Sequence, residues 1–308
     1  MTATPSISTR RRTLSNQPAE CGLFDGMAFS VTYNANRDDE KQHVLGLIRK
    51  NGGRVLEKGF DELFDMNALQ TGSVARNDDS GSLSGGSNLT LTAAARGVGF
   101  ACVIADKHSR RVKFMQALAL GLPCISGRWI EHCVARKEIL DWDQYHLAAG
   151  ESSFLGGAIR SRNLQPYPAN TANFANRFEL RPKLLTGKSI LLITGKGRVE
   201  ERRKPYFFLT QALGARRVKH VPNNQEARKF LLEAESNGDE WNWVYVDEDE
   251  DEAEKAIFGA AIAPPKKRKR GSEVSDDGES TVPPPKKVRI VSDEYVIQSL
   301  ILGKFLEE

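Results

Sequence analysis

Two stretches of the chain, CISGRWIEHC at 124–133 and IVSDEYVIQS at 290–299, share one design. In each, a β-branched run is followed by a serine, two turn-forming residues and an aromatic that opens an apolar-periodic segment. Each therefore predicts a short strand, a cap and a helix. The elements ahead of them also recur in one order. In the first half, LFDGMAFSVTY (23–33) reads as a strand and DDEKQHVLGLIRKNGG (38–53) as a helix with acids at its positive end and a glycine stop. RVLE (54–57) resumes as a strand, GFACVIAD (99–106) as a strand covered on both faces, and RRVKFMQALALG (110–121) as a helix. In the second half, KSILLIT (188–194), PYFFLTQALGA (205–215), RRVKHV (216–221) and WNWVYVDED (241–249) take the corresponding places, with an extra helix at 224–235. Strands alternating with helices predict a parallel, helix-flanked sheet, built twice. In this reading Trp129 and Tyr295 plug the two cores.

The 308 residues suffice for about two cores, and no run reaches the ~20 apolar residues of a membrane span. Cys21, Cys102, Cys124 and Cys133 form no CxxC pair and have no histidine at zinc-finger spacing, which argues for a reduced protein without a metal site. The Arg- and Ser-rich start lacks an amphipathic face and reads as a disordered tail rather than a presequence. TGKS (186–189) precedes its strand and lacks the first glycine of a phosphate-binding loop. GKG (195–197) has Glu200 where a dinucleotide fingerprint needs glycine. The five histidines show no triad spacing. No catalytic residue and no cofactor is expected.

Net charge is +4, unevenly spread. After Asp106 the first half reads KHSRRVK, whereas after Asp247 the second reads EDEDEAEK, so an anion is drawn to the first and repelled by the second. PPKKRKR (264–270) and PPPKKVR (283–289) have the composition of nuclear-import signals.

The element order, the Gly-Gly stop and above all residues 101–152 with GRWIEHC resemble a tandem BRCT pair of the DNA-damage checkpoint mediators, the fungal checkpoint adaptors in particular. The resemblance runs over roughly 22–308 outside the insertions. It implies an α/β architecture of two modules, each a four-stranded parallel sheet flanked by helices, packed through a linker. The expected boundaries are a tail at 1–21, a first module at 22–139 with an insertion at 66–95, a linker at 140–186, and a second module at 187–308 with an insertion at 250–287. Family members are usually longer, with a histone-reading Tudor region upstream, so the chain is expected to be the C-terminal part of such a protein.

The resemblance also implies a phosphoserine site in the first module. Thr32 stands at the hydroxyl position and Lys113 at the lysine position, while Arg110 and Arg111 are placed to hold further phosphate oxygens or a terminal carboxylate. Tyr33 occupies a place where many members have glycine. The implied role is a non-catalytic nuclear adaptor that binds a phosphorylated histone tail, or another phosphoprotein, among checkpoint signalling proteins. Two other readings stand beside it: a phosphate-independent interaction or homodimerisation module, and binding to DNA ends through the cations of 107–113 and 264–289. Trp142, Tyr145, Phe154 and Leu155 are too apolar for a free linker and are expected to pack between the modules.

Overall fold

The computed structural model describes residues 22–65, 89–247, 250–259 and 284–305. The expected tail, most of the first insertion and the PPKKRKR cluster lie outside them. The first module is built on strands β1 (Ala28–Thr32), β2 (Arg54–Leu56), β3 (Ala101–Ala105) and β4 (Cys124–Ser126), all parallel in the order β2-β1-β3-β4. Every residue of the two central strands is buried, as a sheet covered on both faces requires. Helix α1 (Asp38–Lys50) carries Asp38, Asp39 and Glu40 in its first turn and Arg49 and Lys50 in its last, both favourable to its dipole. It stops where Gly52 takes a φ of +83°. A side chain at the adjacent Gly53 would lie 2.7 Å from Ile48 and 2.9 Å from Phe29, so both glycines are required. The short helix α2 (Ala93–Arg96) is capped by Thr92 Oγ1, which accepts from the Ala95 amide. Helices α3 (Val112–Leu120) and α4 (Arg128–Arg136) complete the module.

The second module repeats the plan. Strands β7 (Ser189–Ile193), β8 (Arg217–Val221), β9 (Trp243–Tyr245) and β10 (Arg289–Val291) form a parallel sheet in the order β10-β9-β7-β8. Read from β8, that is the order of the first sheet. Its helices are α6 (Arg198–Ala212), α7 (Asn224–Ser236), α8 (Glu250–Phe258) and α9 (Asp293–Leu302). Residues 286–289 belong to this fold: Arg289 opens β10 opposite Trp243, and Lys287 pairs with Glu254 at 2.5 Å.

Apolar side chains gather in three bodies. One, around Trp129, fills the outer face of the first module beneath α1 and α4. Trp129 is fully buried between Phe24, Phe29 and Phe100, and its indole N–H donates to the Leu140 carbonyl at 2.9 Å. Another fills the outer face of the second module beneath α7 and α8. The largest is shared: α3 of the first module packs on α6 and α9 of the second, with Phe114 and Leu118 in one cluster with Phe208, Leu300 and Ile301. Burying that much surface joins the modules firmly, at ~25 cal/mol per Å² of apolar area.

The connection from 140 to 186 is ordered by both modules. Trp142 is buried and donates to the Tyr167 carbonyl at 2.8 Å. Phe174 and Phe178 of α5 (Phe174–Glu179) meet Phe64 edge-on or tilted, and Phe64 in turn meets Phe208 of the second module edge-on. An antiparallel hairpin, β5 (Gly150–Ser152) with β6 (Ala158–Arg160), leans on α9. At its tip Phe154 and Leu155 remain 49% and 48% exposed, and Trp142 and Tyr145 join the Trp129 cluster of the first module, so none of the four packs between the modules, against the expectation. The turn that carries Phe154 and Leu155 projects outward through Gly156 and Gly157, both at positive φ. Among the described residues no helix is long and apolar enough to cross a membrane.

Candidate phosphate-binding site

Parallel sheets with this strand order leave a crevice at the carboxyl ends of the central strands, where chain direction diverges. Thr32 closes β1 at that edge and is 8% exposed. Its hydroxyl makes no hydrogen bond among the described residues. Lys113, the second residue of α3, reaches the same edge from the helix side. Its ammonium donates to the carbonyl of Val31, the residue before Thr32, at 3.3 Å and to that of Leu56 at 3.4 Å. Two of three donors are thus spent on strand-end carbonyls, and one remains. Burial lowers the Lys113 pKa, with the neighbouring carboxylates of Glu57, Glu62 and Asp61 pulling the other way and Lys41 adding to the lowering. Those acids are partly engaged elsewhere: Glu57 accepts from Arg49 at 2.6 Å and Glu62 from the Lys58 amide at 2.5 Å.

Arg111 holds the N-cap position of α3 with its side chain exposed. Arg110 is directed across the junction, donating to Glu294 of α9 through both terminal nitrogens, at 2.6 and 3.2 Å. The same carboxylate accepts from Ser153 at 2.8 Å and Gln298 at 2.8 Å. Desolvation works against the ionised form, but the hydrogen bonds from Ser153, Gln298 and Arg110 outweigh it and hold the Glu294 carboxyl below the usual glutamate range. The structure thus brings Thr32 and Lys113 to one edge and turns Arg110 toward the second module. Nothing in the spacing of the sequence pairs residues 110 and 294.

The second module arranges the corresponding place differently. Its helix α8 has Glu250, Asp251 and Glu252 in the first turn, where α3 of the first module has Lys113. Between the ends of β7 and β9 lies Arg203 of α6, buried, donating to Asp247 through Nε at 2.8 Å and through Nη2, and to the Ile193 carbonyl at 2.9 Å. Arg203 belongs to the α6 face of this sheet, opposite the α8 face on which the counterpart of Lys113 would stand.

No family model matches the chain. It is 27% identical over 172 residues to the DNA repair protein crb2 of Schizosaccharomyces pombe, covering 56% of this chain and 20% of that protein. It is 30% identical over 158 residues to the DNA repair protein RAD9 of Saccharomyces cerevisiae, covering 46% and 12%. The chain thus spans about a fifth or less of the length of these relatives. Among solved structures, the BRCT5–BRCT6 domains of S. pombe Brc1 superpose over 91% of this chain and 94% of that one, with a TM-score of 0.42 and 12% identity. With one strand order built twice and a sequence match to these two proteins, the chain resembles a tandem BRCT region of the fungal DNA-damage checkpoint adaptors.

Proposed function

We propose that this tandem BRCT region is a non-catalytic nuclear adaptor module that holds a phosphoserine-containing protein tail, a damage-marked histone, on its first repeat. The observation that carries the reading is the Lys113 ammonium, fixed on the carbonyls of Val31 and Leu56 beside Thr32 with one donor to spare. A phosphoserine brings nearly two negative charges and three acceptor oxygens, which a lysine donor, the Thr32 hydroxyl and the amino end of α3 meet with short charge-assisted bonds. The exposed Arg111 adds positive charge beside them, and Arg110, held by Glu294, adds a second cation at the junction. The acids opening α8 disfavour an anion in the second repeat, so one site per chain is the reading.

The test is retention of the intact chain by a histone-tail peptide carrying phosphoserine, with the same resin treated with phosphatase as control. Retention that phosphatase abolishes supports the reading. Retention that survives it makes the region a phosphate-independent interaction module, and binding only to DNA, with a steep salt dependence, makes the basic surface the functional one.

A further inference from the structure

Tyr33 follows Thr32 directly, and the phosphate reading gives it no task. It faces the side of the sheet opposite to Lys113, packed in the core beneath α1 and α4. It is 6% exposed, yet its hydroxyl makes no hydrogen bond among the described residues and lines a crevice of about 390 Å³ between the ends of β1, β3 and β4. Gly127 makes room for it, since a Cβ there would overlap the Tyr33 hydroxyl.

Three carboxylates surround that hydroxyl. Asp106 is oriented by the Asn34 side chain at 2.6 Å and amide at 3.3 Å. Glu40 shares a half-exposed ion pair with Arg37, and Glu131 makes no ion pair among the described residues. Burial, and then Glu131, Glu40 and Asp106, push the Tyr33 phenol up to about 12 against the opposing Arg37, so the field at the hydroxyl is negative. Arg128 is exposed at the rim.

The second repeat shows what chemistry this place accepts. Asp247 follows β9 as Asp106 follows β3, and between β7 and β9 the Arg203 guanidinium bonds Asp247 and the end of β7. In the first repeat the equivalent crevice is open, with the acid, two further carboxylates and a phenol in place. We propose that this crevice binds a guanidinium or ammonium side chain of a partner polypeptide, in the manner in which the second repeat binds its own Arg203. Tyr33 and Glu131 are its main recognition groups, with Asp106 and Glu40 supplying charge. The site lies across the sheet edge from Lys113 and does not depend on the phosphoserine reading.

The test uses the whole chain and two probes, acetyl-arginine amide and acetyl-lysine amide, titrated while the backbone resonances of Tyr33 and Gly127 are followed by NMR. Saturable shifts at both residues are expected, with no saturable shift from acetyl-norleucine amide or sulfate. Tyr33→Phe keeps the ring and should weaken arginine-amide binding about tenfold, the loss of one hydrogen bond to a charged group. Glu131→Gln, on the surface of α4, should do the same, and it carries the test if Tyr33→Phe disturbs the fold. Lys113→Met should leave this binding unchanged. No saturation by either cation, equal shifts from norleucine amide or sulfate, or parent-like affinity in folded variants would overturn the proposal.

Discussion

Arg110 of the first repeat and Glu294 of the second meet in a two-pronged ion pair, 2.6 and 3.2 Å, that spans the junction between the repeats. Both side chains are about half exposed, 52% and 41%, so the pair contributes under about 1 kcal/mol to stability. Its value is positional: it fixes a guanidinium three residues before Lys113 and ties it to the hairpin residue Ser153.

The first prediction concerns pH. The folded Glu294 carboxyl titrates below its unfolded counterpart, so its contribution is present above the ordinary glutamate pKa of about 4.3 and disappears as pH falls through the depressed folded value. Glu294→Gln should therefore lower stability at pH 7 by up to about 1 kcal/mol and converge on the parent as pH falls below ~4.5, giving a flatter acid profile. A parallel acid profile for variant and parent would remove the ion pair from the account.

Trp129→Ala should cost roughly 3–5 kcal/mol, because a fully buried indole packed on Phe24, Phe29 and Phe100 leaves a cavity that fixed strands cannot close. The denaturant midpoint measures it, and an unchanged midpoint would mean that the ring is not in the core.

Arg203→Leu should destabilise the second repeat by about 3 kcal/mol, at the low end for a broken buried pair because Asp247 is one-third exposed. The double variant Arg203→Leu, Asp247→Leu should recover part of that loss in chemical denaturation. Binding at the first repeat should be unaffected.

Deleting 264–283 while keeping Pro285–Arg289 should leave the melting temperature nearly unchanged and abolish nuclear accumulation of a fluorescent fusion. Lys286→Ala with Lys287→Ala should retain accumulation, since Lys287 is already committed to Glu254 and the Lys286 amide to Glu235. The reverse pattern would assign import to the second cluster.

Duplication was legible because a strand, a glycine stop and an aromatic-led helix leave marks one to four residues apart, and these recur. Trp129 and the buried β3 run were legible for the same reason, burial being local and periodic. The fused middle core was not: a helical stripe such as Phe114 to Leu118 says that one face is covered, but not that Phe208 and Leu300 cover it. The hairpin β5–β6 was hidden because its strands are three residues each, too short for alternation to register. Apolar content alone suggested that Phe154 and Leu155 pack inside, and the outward turn reversed that. At the candidate site, Thr32 and Lys113 were named through the resemblance. The partnership of Arg110 with Glu294 and the crevice around Tyr33 depend on which chain segments meet, which no local spacing encodes.

The central claim rests on one ammonium group, and calorimetry with Lys113→Met tests it most directly. The substitution keeps the helical stem and removes the charge and its donors, and methionine preserves helix propensity. Losing a charge-assisted hydrogen bond worth about 1.5–3 kcal/mol should weaken binding of a phosphoserine tail peptide by one to two decades, with the melting temperature within a few degrees of the parent. Thr32→Val should act in the same direction, and Glu250→Gln in the second repeat should change affinity little. Equal affinity of parent and folded Lys113→Met for the phosphopeptide, or equal affinity of the parent for the phosphorylated and unphosphorylated peptides, would contradict the account.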